Sequence, residues 1–261
     1  MPYADVNGQR IWFEDSGGAG PTVVLAHGLL MDHTMFEPQV EALAGEFRSI
    51  TWDERAHGRT EWDGRPFTYW DSAADCIGLL DHLGLERAVI GGMSQGGFLS
   101  LRAALGHPGR VAGLVLISTQ AGVDDAETLA RYQGMCEAWI AMGAPDPLMQ
   151  QVAGMILGAP EHWEPWVTRF RAMPAERLRG AIACLLERDD ITARVPEIRC
   201  PAIVFHGTAD VAIALARGEA LAALLPGCEA LVRVEGAAHA SNLTHAAQVN
   251  PALREFVRRH G

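Results

Sequence analysis

The stretch that decides the fold is Ala88-Val89-Ile90-Gly91-Gly92-Met93-Ser94-Gln95-Gly96-Gly97-Phe98-Leu99-Ser100-Leu101-Arg102. A short β-branched run ends in two glycines, a serine follows, and after two more glycines an apolar segment of helical character begins. Gly92-Met93-Ser94-Gln95-Gly96 matches G-x-S-x-G between a candidate strand and a candidate helix, the setting that this motif requires. A serine at so sharp a turn is forced into an unfavourable backbone conformation that holds its Oγ clear of the surface. Neighbouring chain must pass very close, so the positions two before and two after the serine favour residues without Cβ. The helix starting at Gln95 aims free N–H groups at the point where negative charge would develop on a reacting carbonyl. The chain has 28 glycines, so the match gains weight from its strand-before, helix-after context rather than from the letters alone.

Working outward, Tyr3–Val6 and Arg10–Glu14 flank Asn7-Gly8, a hairpin signal. Residues 22–26, 49–52, 111–117, 202–205 and 230–234 are further strand runs. Thr22-Val23-Val24-Leu25-Ala26 has the continuous apolar pattern of a strand buried on both faces of a parallel sheet. Helices are expected over 34–44, 68–83, 95–106, 214–225 and 243–259. This alternation predicts a mostly parallel, doubly wound α/β sheet with its ligand site beyond the strand C-termini. From Gln120 to Arg199 strands stop, and helices broken by Gly143, Pro145, Pro147, Gly158, Pro160, Pro165 and Pro174 take over. Residues 120–199 are therefore expected as a helical cap over a core of 1–119 and 200–261.

The chain of 261 residues suits one large α/β domain with a substantial core. Net charge is −11, and all 21 basic residues are arginine. An acidic chain without a basic cluster argues against nucleic acid or an anionic membrane as partner. The N-terminus lacks the charged and apolar regions of a signal peptide, and no apolar run reaches the ~18 residues of a spanning helix. Cys76, Cys136, Cys184, Cys200 and Cys228 are scattered and odd in number, as expected of small apolar residues in a reducing compartment. A cytoplasmic location is expected, no metal-ligand spacing or cofactor motif occurs, and a homodimer is left open.

A serine hydroxyl needs a base, and the base needs a carboxylate to orient it. Two loops at strand ends supply them. Asp210 lies in His206-Gly207-Thr208-Ala209-Asp210, and His239 lies in Gly236-Ala237-Ala238-His239-Ala240. Asp189 and Asp190 fall within the expected cap. Ser118, after strand 111–117, cannot serve as the acid. With the order Ser94, Asp210, His239 in hand, the chain resembles the α/β-hydrolase-fold serine hydrolases over essentially its whole length. The resemblance implies oxyanion donors at the backbone N–H groups of Leu29, in His27-Gly28-Leu29-Leu30, and of Gln95. His27, His57, His206 and His245 are expected to be structural rather than catalytic, with Asp53 and Arg55 tying their turn together. Ala56 and Thr60 stand where the family has glycine and serine, and the proline often found after the acid is missing from Val211-Ala212-Ile213. Gln95 replaces a common methionine, and its amide is expected toward the pocket.

Within the family the elbow and cap look most similar to 3-oxoadipate enol-lactonase-like hydrolases and small carboxylesterases. The implied chemistry is cleavage of a small to medium hydrophobic ester or lactone through an acyl-enzyme. Alternatives are carbon–carbon bond hydrolysis of aromatic degradation, a cofactor-free perhydrolase or haloperoxidase-like activity, and a receptor-like ligand-binding protein. Leu30, Trp139, Met142, Trp163 and Trp166 are the expected pocket residues, since an apolar acyl group needs large apolar side chains.

Overall fold

The structure, a computed structural model, describes residues 2–261; Met1, the first residue of the expected core range, lies outside them. Tyr3–Val6 (β1) and Gln9–Asp15 (β2) form the expected hairpin. Its turn residues Asn7 and Gly8 both have positive φ, 48° and 75°, as a two-residue turn matched to strand twist requires. Then follow Thr22–Ala26 (β3), Glu37–Leu43 (α1), Arg48–Trp52 (β4), Tyr69–His82 (α2), Ala88–Met93 (β5), Gln95–Gly106 (α3) and Val111–Ile117 (β6). Ala126–Met142 (α4), Asp146–Leu157 (α5), Trp166–Ala172 (α6) and Ala175–Leu186 (α7) are inserted before Ala202–Gly207 (β7). The chain ends with Leu215–Leu224 (α8), Cys228–Val234 (β8), Ser241–Thr244 (α9) and Ala246–His260 (α10). Two expected helices differ in detail. The segment 34–44 opens as a tight turn at His33–Phe36 before α1, and the terminal helix breaks at His245, whose φ of −128° is not helical.

The sheet order is β1-β2-β4-β3-β5-β6-β7-β8. Pairs β1–β2 and β2–β4 are antiparallel, and all others are parallel. Strand periodicity sorts the apolar residues onto two faces. Val24, Ala26, Ile90 and Leu114 face a core shared with α2, α3 and α8. Val23, Leu25, Val89 and Val115 face one shared with α1, α10 and the inserted helices. This double burial explains why the central strands read as unbroken apolar runs. The end of the insertion, Thr192–Glu197, is seated on α3 and α8. Loops after β3, β4, β5, β6, β7 and β8 all leave at the C-terminal edge, where the candidate residues gather.

Candidate active site

Ser94 links β5 to α3 with φ +53° and ψ −112°, a conformation that costs about 1–3 kcal/mol in a non-glycine residue. Its surroundings over-determine that strain. The Ser94 N–H donates to the Ile117 carbonyl at 2.8 Å, and its own carbonyl accepts from Gly97, Phe98 and the Thr119 hydroxyl. A Cβ at Gly96 would run into the Ala26 carbonyl, and one at Gly92 would meet both that carbonyl and Gly96. The close packing of β3, β5 and α3 thus requires glycine at both flanks.

Asp210 follows β7. Its Oδ1 accepts from the Ala212 and Ile213 N–H groups at 2.9 and 3.0 Å, which fixes the carboxylate plane. Its Oδ2 accepts from Nδ1 of His239 at 2.8 Å. Burial by itself would raise the Asp210 carboxyl, but the facing His239 and hydrogen bonds from His206, His239 and Ile213 hold it well below the usual carboxylate range. With Nδ1 donating to Asp210, neutral His239 carries its lone pair on Nε2. His239 and Ser94 line one cavity, although Ser94 Oγ makes no well-aligned hydrogen bond to the ring in this resting geometry. Such contacts commonly tighten only with substrate bound.

Among the described residues, the backbone N–H groups of Leu29 and Gln95 meet no acceptor, so both remain available to a ligand. The histidines nearby tie loops. His27 donates through Nδ1 to the Gly28 carbonyl at 2.8 Å and accepts at Nε2 from the Glu54 N–H at 3.0 Å. His57 donates to the Arg55 carbonyl at 2.9 Å and accepts from the Leu30 N–H at 3.4 Å. Burial, helped by neighbouring His27, pushes His57 down to about 3, so it stays neutral. His206 Nε2 donates to the Ile213 carbonyl at 2.8 Å and stands 3.4 Å from Asp210 Oδ2. Asp53 accepts from the Arg59 N–H and from His33, as a turn-tying residue should. Arg55 instead reaches α2, pairing with Asp75 at 2.6 Å. Ala56 adopts φ +63° in place of the family's glycine, and the Thr60 hydroxyl donates to the Asp53 carbonyl at 2.5 Å.

Beside Ser94 and His239 lies a predominantly apolar cavity of ≈ 780 Å³ counting its open mouth. Leu30 and Trp139 line it, together with Met93, Phe98, Met135 and Met155. Three expected pocket residues do not. Met142, at the last turn of α4, faces solvent at 60% exposure. Trp163 donates its indole N–H to the Gly158 carbonyl at 2.9 Å, and Trp166 is packed under the Arg169 guanidinium. Gln95 also departs from expectation: its side chain turns inward, where Oε1 accepts from the Tyr69 hydroxyl at 3.3 Å. A residue that sequence reasoning missed is Asp124, which lines the cavity. Its neighbour Asp125 caps α4 by accepting from the Thr128 N–H, and an acidic pair before a helix ordinarily signals nothing more than a cap.

A model of the alpha/beta hydrolase fold matches residues 21–246. The chain belongs to that family. The hydrolase is 30% identical to the pimeloyl-[acyl-carrier protein] methyl ester esterase of Xanthomonas axonopodis pv. citri, over 92% of this chain and 96% of that one. It matches a thermophilic esterase from Thermogutta terrifontis with TM-score 0.90 and 29% identity, covering 99% and 98% of the two chains. The enol-lactonase from Burkholderia xenovorans LB400 matches with TM-score 0.88 and 28% identity, covering 98% and 99%. The chain also spans 12% of the length of polyketide synthase ThaQ of Burkholderia thailandensis, at 30% identity. No helix among the described residues is long and apolar enough to cross a membrane, and no group of three or more His, Cys, Asp or Glu is placed to hold a metal ion.

Proposed function

We propose that this hydrolase cleaves a carboxylic ester or lactone with a small to medium apolar acyl group through a Ser94–His239–Asp210 triad. Ser94 Oγ attacks the carbonyl, and His239 Nε2 takes its proton and returns it to the leaving oxygen. Asp210 holds the imidazole in the required tautomer and stabilises its charged form. The Leu29 and Gln95 N–H groups receive the oxyanion, each worth on the order of 3–4 kcal/mol in the barrier. Water on His239 then releases the acyl group.

The observation that carries this reading is the 2.8 Å His239–Asp210 contact in the same cavity as a strained Ser94. The apolar wall supports an acyl substrate, and the esterase and enol-lactonase relatives support ester and lactone carbonyls. The test is turnover of p-nitrophenyl butyrate and of an enol-lactone by wild type and by Ser94→Ala. Turnover by wild type and its loss in Ser94→Ala are expected. Equal turnover by the variant, or a fluorophosphonate label on any residue other than Ser94, overturns the assignment.

A further inference from the structure

The wall of the catalytic cavity carries one carboxylate that the reaction does not use. Asp124 follows β6 and opens onto the space lined by Ser94 and His239. Its Oδ2 is paired with Arg188 at 2.7 Å, and its Oδ1 accepts from the Gln120 amide at 3.0 Å. The Arg188 side chain is only 2% exposed. It lies over the Phe98 ring and donates to the Leu185 carbonyl at 2.9 Å, so it cannot swing out to release Asp124. The carboxylate is therefore fixed in place, at 14% exposure of its side chain. An ionised carboxylate offers about four acceptor positions, and the protein fills two.

The same network is incompletely satisfied. Arg188 Nε and Gln120 Oε1 are buried without partners. The rest of the cavity wall is largely apolar, with Met135, Leu185 and Ile213 among its residues, and the Tyr132 hydroxyl, also of the lining, is turned to the Ala212 carbonyl at 3.4 Å. A purely apolar ligand filling this space would strip water from Asp124 and return nothing, whereas a ligand donor would replace that water.

We propose that Asp124 is a specificity-determining residue of this cavity, accepting a hydrogen bond from a hydroxyl or amide N–H on the substrate. The substrate class narrows accordingly to apolar esters or lactones that carry such a donor on the part of the molecule lying in the cavity. This rests on the ester or lactone reading above. A site built to pair with a substrate donor discriminates against the analogue without it, because the protein acceptor is then left desolvated and alone.

The experiment compares kcat/KM for methyl alkanoates with that for their hydroxy, acetamido and methoxy counterparts, the substituent being moved along the chain. In wild type at least one hydroxy or acetamido isomer should exceed its parent by about tenfold or more, and the matching methoxy compound, which keeps the bulk but not the donor, should not. In Asp124→Ala that advantage should fall to within about twofold, and Asp124→Ala/Arg188→Met, which removes the otherwise unpaired buried cation, should show the same loss. Absence of any donor preference in wild type, an equal preference for the methoxy compound, or a preference surviving in either variant overturns the proposal. Ser94→Ala separates this failure from that of the underlying reading. Parent-ester turnover that needs Ser94 but shows no donor preference sinks the Asp124 role alone. Turnover that survives Ser94→Ala, or no turnover of any ester or lactone, sinks both.

Discussion

Glu54 ties the stability of this fold to pH. It sits just after β4 at 1% exposure, and neither carboxyl oxygen has a well-aligned hydrogen-bond partner. Burial pushes it up from 4.5 to about 8; Ser72 and Gln95 beside it pull the other way, and the Asp75 charge adds to the rise. Glu54 is therefore protonated in the native state at neutral pH, while in the unfolded chain it is ionised. The native state binds the extra proton, so stability falls as pH rises through this window. The loss runs at about 1.4 kcal/mol per pH unit, on the order of 5 kcal/mol in all between pH 4.5 and 8. Glu54→Gln keeps the shape and removes the titration. Urea unfolding of wild type and variant at pH 5, 6, 7, 8 and 9 reads the difference. The wild-type stability relative to the variant should drop by ~2 kcal/mol between pH 6 and 7.5 and level off above pH 8. Subtracting the variant cancels the histidines, including His33, whose raised value produces a loss of the same sign. A difference that stays flat within ~0.5 kcal/mol across pH 5 to 8 would refute a buried neutral Glu54.

Other outcomes follow from the same geometry. Asp210→Asn should keep the fold but lower kcat by roughly 10³–10⁴, because an amide can donate to Nδ1 and favour the wrong tautomer; stopped assays on p-nitrophenyl butyrate with unfolding curves in parallel check both halves. At acid pH the sign reverses for His57: the unfolded ring gains a proton below about 6.5 that the native ring refuses until about 3, so stability falls as pH drops through that window. His57→Gln should flatten this acid limb, seen in thermal melts from pH 7 to 4. Trp139→Ala, which opens the cavity wall, should shift acyl chain-length preference, whereas Met142→Ala, at an exposed position, should leave it unchanged. Equal effects of the two would mean that Trp139 acts only through the stability of the inserted helices.

Much of this molecule was legible along the chain because its signals are local. A β-branched run ending in Gly91-Gly92, a serine and a helix start encode the elbow within a few residues. Two-sided burial of β3, β5 and β6 writes an unbroken apolar pattern that announces a parallel sheet. Strand-end loops bearing Asp210 and His239 follow from the same alternation, since all parallel strands deliver their C-termini to one edge. What the chain by itself could not decide is which way side chains turn once helices pack on that edge. Trp139, Trp163 and Trp166 are alike in composition, yet only Trp139 meets the cavity, because the way each helix is turned against the sheet is set by tertiary packing, while Trp163 and Trp166 find their partners, Gly158 and Arg169, within their own segment. Gln95 turned inward toward Tyr69 for the same reason. Glu54 and Asp124 look like ordinary acids in ordinary loops. Only burial against Ser72 and Gln95 in one case, and pairing with Arg188 from 64 residues away in the other, made them chemically distinct, since solvation and charge pairing belong to the assembled interior.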